Sequence, residues 1–118
     1  MRYTFVAFTN SVDGREDDFN QWYDQQHVPD VLDVPGFVSA QRFVCADSQL
    51  GPVVHKYMTI YQIETENLDE TLAAFGARAQ EGKIVMTDAV DRANAAMCVY
   101  QPLSPAVDPD QARQNRRS

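Results

Sequence analysis

The stretch WYDQQHVPDVLDVPGF, residues 22–37, decides how this chain is read. It holds the only tryptophan, Trp22, one of the two histidines, His27, and the pair Pro35-Gly36. Phe19, then Trp22 or Tyr23, then Gln26 or His27 recur at three- and four-residue spacing, which is one face of a helix. Upstream, Asp13 and Glu16 resemble a capping box, and Glu16, Asp17 and Asp18 put negative charge in the first turn, where the helix dipole favours it. Pro29 removes a backbone donor and disfavours helix at Val28. The pattern therefore predicts a helix that ends or kinks just after His27, a short further turn starting at Pro29, and a stop at Pro35-Gly36.

Outward from this stretch the chain alternates between two periods. Residues 3–9, YTFVAFT, are β-branched and aromatic and predict a buried strand. FVSAQRFVCA (37–46), HKYMTIYQI (55–63) and NAAMCVYQ (94–101) predict three more. Asn67 with Glu70 is a capping signal for a second helix, with Leu68, Leu72, Phe75 and Ala79 on its apolar side and Gly82 at its C-terminal stop. The order β-α-β-β-α-β is the ferredoxin-like arrangement, an α+β fold with an antiparallel four-stranded sheet and two helices on one face. Alternation leaves both sheet faces apolar. Tyr57, Thr59 and Tyr61 oppose Met58 and Ile60, and Val38, Ala40 and Val44 oppose Phe37, Ser39 and Phe43. Helices cover one face, and a second copy of the chain is the simplest cover for the other, so a homodimer is expected. Residues 1–102 form the expected domain, and the Pro-rich, charged residues 103–118 a mobile tail or dimer arm.

Composition narrows the function classes. Ten Lys and Arg stand against seventeen Asp and Glu, a net charge of −7. Nucleic acid and anionic lipid both recruit clustered cations, so neither is an expected partner. No apolar run approaches the roughly 18 residues of a membrane span, and the first ten residues alternate like a strand rather than a leader, so a cytoplasmic protein is expected. Cys45 and Cys98 lie in separate apolar segments and read as reduced, buried residues. The chain has no zinc-type Cys/His spacing, no G-x-G-x-x-G and no G-x-S-x-G, so neither metal nor cofactor is expected. Haem stays open, since one axial histidine is enough for it, although two aromatics crowd His27.

Trp22-Tyr23, His27-Val28-Pro29, Pro35-Gly36-Phe37 and Arg42-Phe43, set in this element order, resemble the dimeric α+β barrel superfamily and, within it, the EthD-like group. The resemblance spans roughly residues 3–101. It implies two sheets from two chains closing a barrel, with a pocket in each chain between its own sheet and helices. It also implies small-molecule chemistry of several kinds, among them cofactor-free oxygenation, cyclisation, dehydration and isomerisation. A pocket histidine acts as acid or base in several such proteins, and His27 is the matching position.

From the residues alone, His27 is either a helix-end histidine or a proton-transfer group whose apolar surroundings move its proton affinity. Asp24 or Asp30 are candidates to orient its ring. Tyr57 is the expected catalytic partner, and Tyr57, Tyr61 or Tyr23 would hold a carbonyl or hydroxyl oxygen. Tyr61 and Ser39 are placed with Tyr57 on one sheet face. Tyr23 reads as either core or hydroxyl donor, and Trp22 and Phe19 as packing groups that also wall the pocket. His55, at the mouth of the third strand, reads as a strand-end histidine or a second pocket residue. Arg42 is expected to pair with an aspartate near the dimer interface, the alternative being an anionic ligand. These assignments describe a cofactor-independent lyase, dehydratase, cyclase or isomerase acting on a hydrophobic aromatic or polyketide-like compound. The alternatives are a cofactor-independent monooxygenase of phenols or quinols, and a non-catalytic protein that holds a hydrophobic metabolite.

Overall fold

The structure, a computed structural model, describes residues 1–116. Four strands, β1 (Arg2–Thr9), β2 (Phe37–Val44), β3 (Tyr57–Glu64) and β4 (Ala96–Tyr100), form one antiparallel sheet in the order β2-β3-β1-β4. Tyr3, Phe5, Ala7 and Thr9 face across to Ile63, Tyr61, Thr59 and Tyr57, and this face is packed under helices. The expected ferredoxin-like α+β architecture is therefore present.

One irregularity changes which residues meet. Gly36 takes φ +98°, and a Cβ there would lie 3.1 Å from Thr71 Cγ2, so only glycine suits this turn. Immediately after it, Phe37 pairs with Ile63 but Ser39 pairs with Gln62, one extra residue on β2. The bulge flips the alternation. Phe37, Ala40 and Arg42 face the helices, whereas Ser39, Gln41 and Phe43 face the other way. Ser39 does not share a face with Tyr57 and Tyr61, contrary to simple counting from Phe37.

The first helical segment is continuous through Pro29, where a stop or kink was expected. It runs as α1 (Glu16–Trp22), a π-helical turn (Tyr23–His27) and α2 (Val28–Leu32). Pro29 would collide with the carbonyl four residues back in a regular helix. The wider turn relieves this, and the Val28 N–H donates to Tyr23 O, five residues back instead of four. Asp13 does not cap the helix. Arg15 is the N-cap and makes no side-chain capping bond, although the three first-turn acids are as expected. The next helix, α3 (Leu68–Gln80), starts with Asn67 accepting from the Glu70 N–H at 3.1 Å. It ends in a Schellman motif, with Gly82 at φ +74° and the Lys83 N–H on Arg78 O at 2.9 Å.

A loop from residue 83 returns across the sheet and is stitched by a Ser11–Val90 bridge before a single 3₁₀ turn, Arg92–Asn94. Part of the expected tail is helical: α4 (Pro109–Asn115) carries a full capping box between Asp108 and Gln111, and its residues are exposed. The uncovered sheet face presents Val6, Phe8, Met58, Ile60, Phe43, Cys98 and Tyr100. Cys98 is exposed there rather than buried, Cys45 is half-buried, and both are free thiols. Among the described residues no helix is long and apolar enough to cross a membrane.

Candidate functional site

Between the helix-covered sheet face and the helices lies a cavity of about 430 Å³. β1 supplies Phe5, Ala7 and Thr9, the π-turn and its flanks supply Trp22, Tyr23, His27 and Val31, and β3 supplies Tyr61. Phe75 and Ala79 of α3 form another wall, and the segment from Ile84 to Ala95 with the first residues of β4, Ala96 and Met97, closes the rim. The lining is mostly apolar, of a size and character suited to a small organic molecule.

Three buried polar atoms interrupt it: Thr9 Oγ1, His27 Nδ1 and the Tyr61 hydroxyl. None has a hydrogen-bond partner among the described residues. Buried polar groups are normally paired, since leaving one unmade costs about 1–3 kcal/mol. Only two other buried side-chain atoms among the described residues are unpaired, Nε of Arg42 and of Arg78, and neither belongs to the cavity wall.

The π-turn explains where His27 points. In an α-helix, side chains five residues apart are rotated by roughly 140°. Here Trp22 and His27, five apart, stack with ring centroids 4.5 Å apart at 23°. Tyr23 meets the imidazole edge-on at 5.0 Å. Burial disfavours the imidazolium and lowers the His27 pKa to about 4, a shift that the charge of Asp30 only partly opposes. The ring is therefore neutral at physiological pH. Neither candidate carboxylate orients it. Asp30 accepts from Gln26 Nε2 at 2.8 Å and from the Val85 N–H at 2.9 Å, which ties the rim loop to the helix. Asp24 is held by Arg42 at 2.9 Å.

Tyr61 is buried at the sheet centre, and burial raises its pKa, with the neighbouring Tyr23 phenol acting in the same direction and Arg42 against it. No Tyr23–Tyr61 hydrogen bond of normal geometry forms, so the Tyr61 hydroxyl stays free to serve a ligand. Arg42 backs the wall from outside the cavity. Its guanidinium lies 4.5 Å from the Tyr23 ring centre, donates to Asn20 Oδ1 at 2.7 Å and pairs with Asp24, the aspartate pairing expected of it.

The remaining sequence candidates fall elsewhere. Tyr57 packs against Phe19 at 5.0 Å, and its hydroxyl accepts from Asn20 Nδ2 at 3.3 Å, outside the cavity. Phe19 is fully buried core. Ser39 is exposed on the uncovered sheet face. His55 packs on Phe8 and donates from Nε2 to Asn94 O at 2.6 Å. The structure brings together His27, Trp22, Tyr23 and Tyr61. Sequence reasoning missed Thr9 and Arg92. The alternation Phe5, Ala7, Thr9 could have revealed the first, since it places a lone hydroxyl on the buried face. Among the described residues, no three His, Cys, Asp or Glu side chains gather as a metal site would require.

No family model matches the sequence, and no curated protein matches it. Solved structures do. An EthD family protein from Bacillus halodurans superposes with a TM-score of 0.59 at 13% identity, over 87% of this chain and 100% of that one. A dimeric ferredoxin-like protein of unknown function from Jannaschia gives 0.57 at 11% identity, over 86% and 100%. The fold is that of the dimeric α+β barrel proteins. MhuD from Mycobacterium tuberculosis, a haem degrader solved with two haems in its active site, gives 0.60 at 11% identity, over 89% and 99%. At such identities the likeness is one of fold. In this chain the cavity lies between its own sheet and helices.

Proposed function

We propose that the protein is a homodimer that takes a hydrophobic, oxygen-bearing small molecule into this cavity and moves a proton on it. The observation that supports this reading is the convergence of three unpaired buried polar atoms, Thr9 Oγ1, His27 Nδ1 and the Tyr61 hydroxyl, on one apolar cavity. His27, neutral at working pH, is the base. Tyr61, its proton held firmly by burial, donates to a carbonyl or hydroxyl oxygen, a role for which the sequence offered Tyr57, Tyr61 or Tyr23. Thr9 fixes the orientation of the bound molecule. Removing a proton beside a carbonyl and stabilising the resulting oxygen supports elimination, C–C cleavage or isomerisation, so a lyase-type outcome ranks first. Thr4, Val6, Phe8, Met58 and Ile60 on the uncovered sheet face seat the second copy.

A second reading, cofactor-independent monooxygenation, has one feature in its favour. A neutral buried base can take a phenolic proton and leave an electron-rich phenolate for dioxygen. Oxygen consumption on a phenol or quinol separates the two. The deciding experiment is native mass spectrometry of the protein as purified, followed by chemical identification of any retained mass and turnover assays with His27→Ala and Tyr61→Phe. Loss of turnover in both variants, with ligand still bound, supports proton transfer. Full turnover in His27→Ala refutes it. A ligand that is retained but never converted indicates a binding protein, and a retained haem makes His27 its candidate ligand.

A further inference from the structure

The proposed function leaves the charge of the bound molecule open, and the cavity mouth addresses it. Arg92 lines the rim from the single 3₁₀ turn between the loop and β4, and its residue is exposed. Arg2, Arg15, Arg42, Lys56, Lys83 and Arg113 each pair with a carboxylate of this chain. Arg92 forms no ion pair among the described residues, although the chain carries seventeen acids. Its nearest acid in sequence, Asp91, is turned to Asn94, accepting from Nδ2 at 2.7 Å.

The turn beneath Arg92 is held on both sides. The Asp91 N–H donates to Asn10 O at 2.9 Å, and the imidazole of His55 donates to Asn94 O at 2.6 Å. A cation thus stands at the entrance of a cavity whose other lining residues include no carboxylate, Lys or Arg, and in which burial keeps His27 and Tyr61 uncharged.

We infer that Arg92 selects an anionic substrate, a hydrophobic carboxylate whose apolar body enters the cavity while its charge stays at the mouth. Burying a carboxylate inside beside uncharged groups would be costly, so the interior sets head-out orientation as firmly as Arg92 does. On a chain of net charge −7, a fixed local cation is also what lets an anion approach. This rests on the cavity being the ligand site, as proposed above, and it gives His55 a task, positioning the turn that carries Arg92.

Isothermal titration with naphthalene-2-carboxylate and its uncharged twin, naphthalene-2-carboxamide, tests both levels. The carboxylate should bind roughly tenfold more tightly than the amide, as one charge-assisted contact at a partly desolvated site provides, and the preference should shrink with added salt. Arg92→Gln should weaken the carboxylate far more than the amide and so collapse the preference, and Arg92→Lys should restore part of it. Equal binding of the two probes to the native protein, or a preference that survives Arg92→Gln, overturns the Arg92 assignment and leaves the cavity reading intact. Binding of neither probe, or binding indifferent to Ala79→Trp, which fills the cavity wall, removes both.

Discussion

Replacing His27 by phenylalanine should make the protein's stability less sensitive to acid. Phenylalanine keeps a ring for Trp22 to stack on but cannot take a proton. In the native protein the His27 pKa falls from 6.5 to about 4 through burial. Between those values the unfolded chain binds a proton that the folded chain refuses, so stability drops as pH falls through that window. Each pKa unit corresponds to about 1.4 kcal/mol, so the full loss attributable to His27 is about 3.5 kcal/mol, most of it complete by about pH 4.5. Above about pH 6.5 the contribution is flat. The two proteins differ only at residue 27, so the native-minus-variant difference isolates His27. Urea unfolding at fixed protein concentration, at about pH 7 and again at about pH 4.5, gives that difference directly. The variant should gain on the native protein by about 2.5 kcal/mol over the interval. A difference that stays constant with pH would refute the claim that the cavity holds this imidazole dry and neutral. So would an NMR titration that places the His27 pKa near the ordinary histidine value.

Three further outcomes follow from other parts of the fold. Gly36→Ala should cost about 1–2 kcal/mol in urea unfolding, because it combines a left-handed backbone with a Cβ pressed to 3.1 Å from Thr71; an unchanged midpoint would contradict the turn described. Asn67→Ala should cost about 1 kcal/mol by removing the cap of α3, with Asn67→Asp nearly neutral in the same assay. Met58→Glu should shift the protein to monomer in size-exclusion chromatography with light scattering, since Met58 lies on the uncovered face beside Phe8 and Phe43, while the circular dichroism spectrum stays native.

Much of this fold was legible because its signals are local. The strands showed as β-branched and aromatic alternation, and the ends of α3 as Asn67 and Gly82. What escaped depended on a single residue of register. The bulge after Phe37 cannot be counted from composition, yet it moves Ser39 to the open face and Arg42 toward Tyr23. Tyr57 and Tyr61 share a strand face, so spacing could not separate them. Four residues of strand, rising about 3.3 Å each, carry Tyr57 out of the cavity to Phe19 and Asn20 while Tyr61 remains in its wall. Arg92 was invisible for a different reason. Its role depends on where a loop without periodicity returns, and that is fixed by long-range contacts to Asn10 and His55. In the tail, charge and proline masked the Asp108–Gln111 box that starts α4.

The π-turn between Tyr23 and His27 makes helical winding, as much as residue identity, the variable that aims the histidine. A π-turn is equivalent to an α-helix carrying one inserted residue. Rewinding the segment as a regular helix at its present length would leave every side chain of the sequence intact. Relative to Phe19 and Trp22, the imidazole would then swing by roughly 100° and Pro29 would press on the turn before it. A change of winding alone, with no change of composition, would thus turn His27 away from Trp22 and Tyr23.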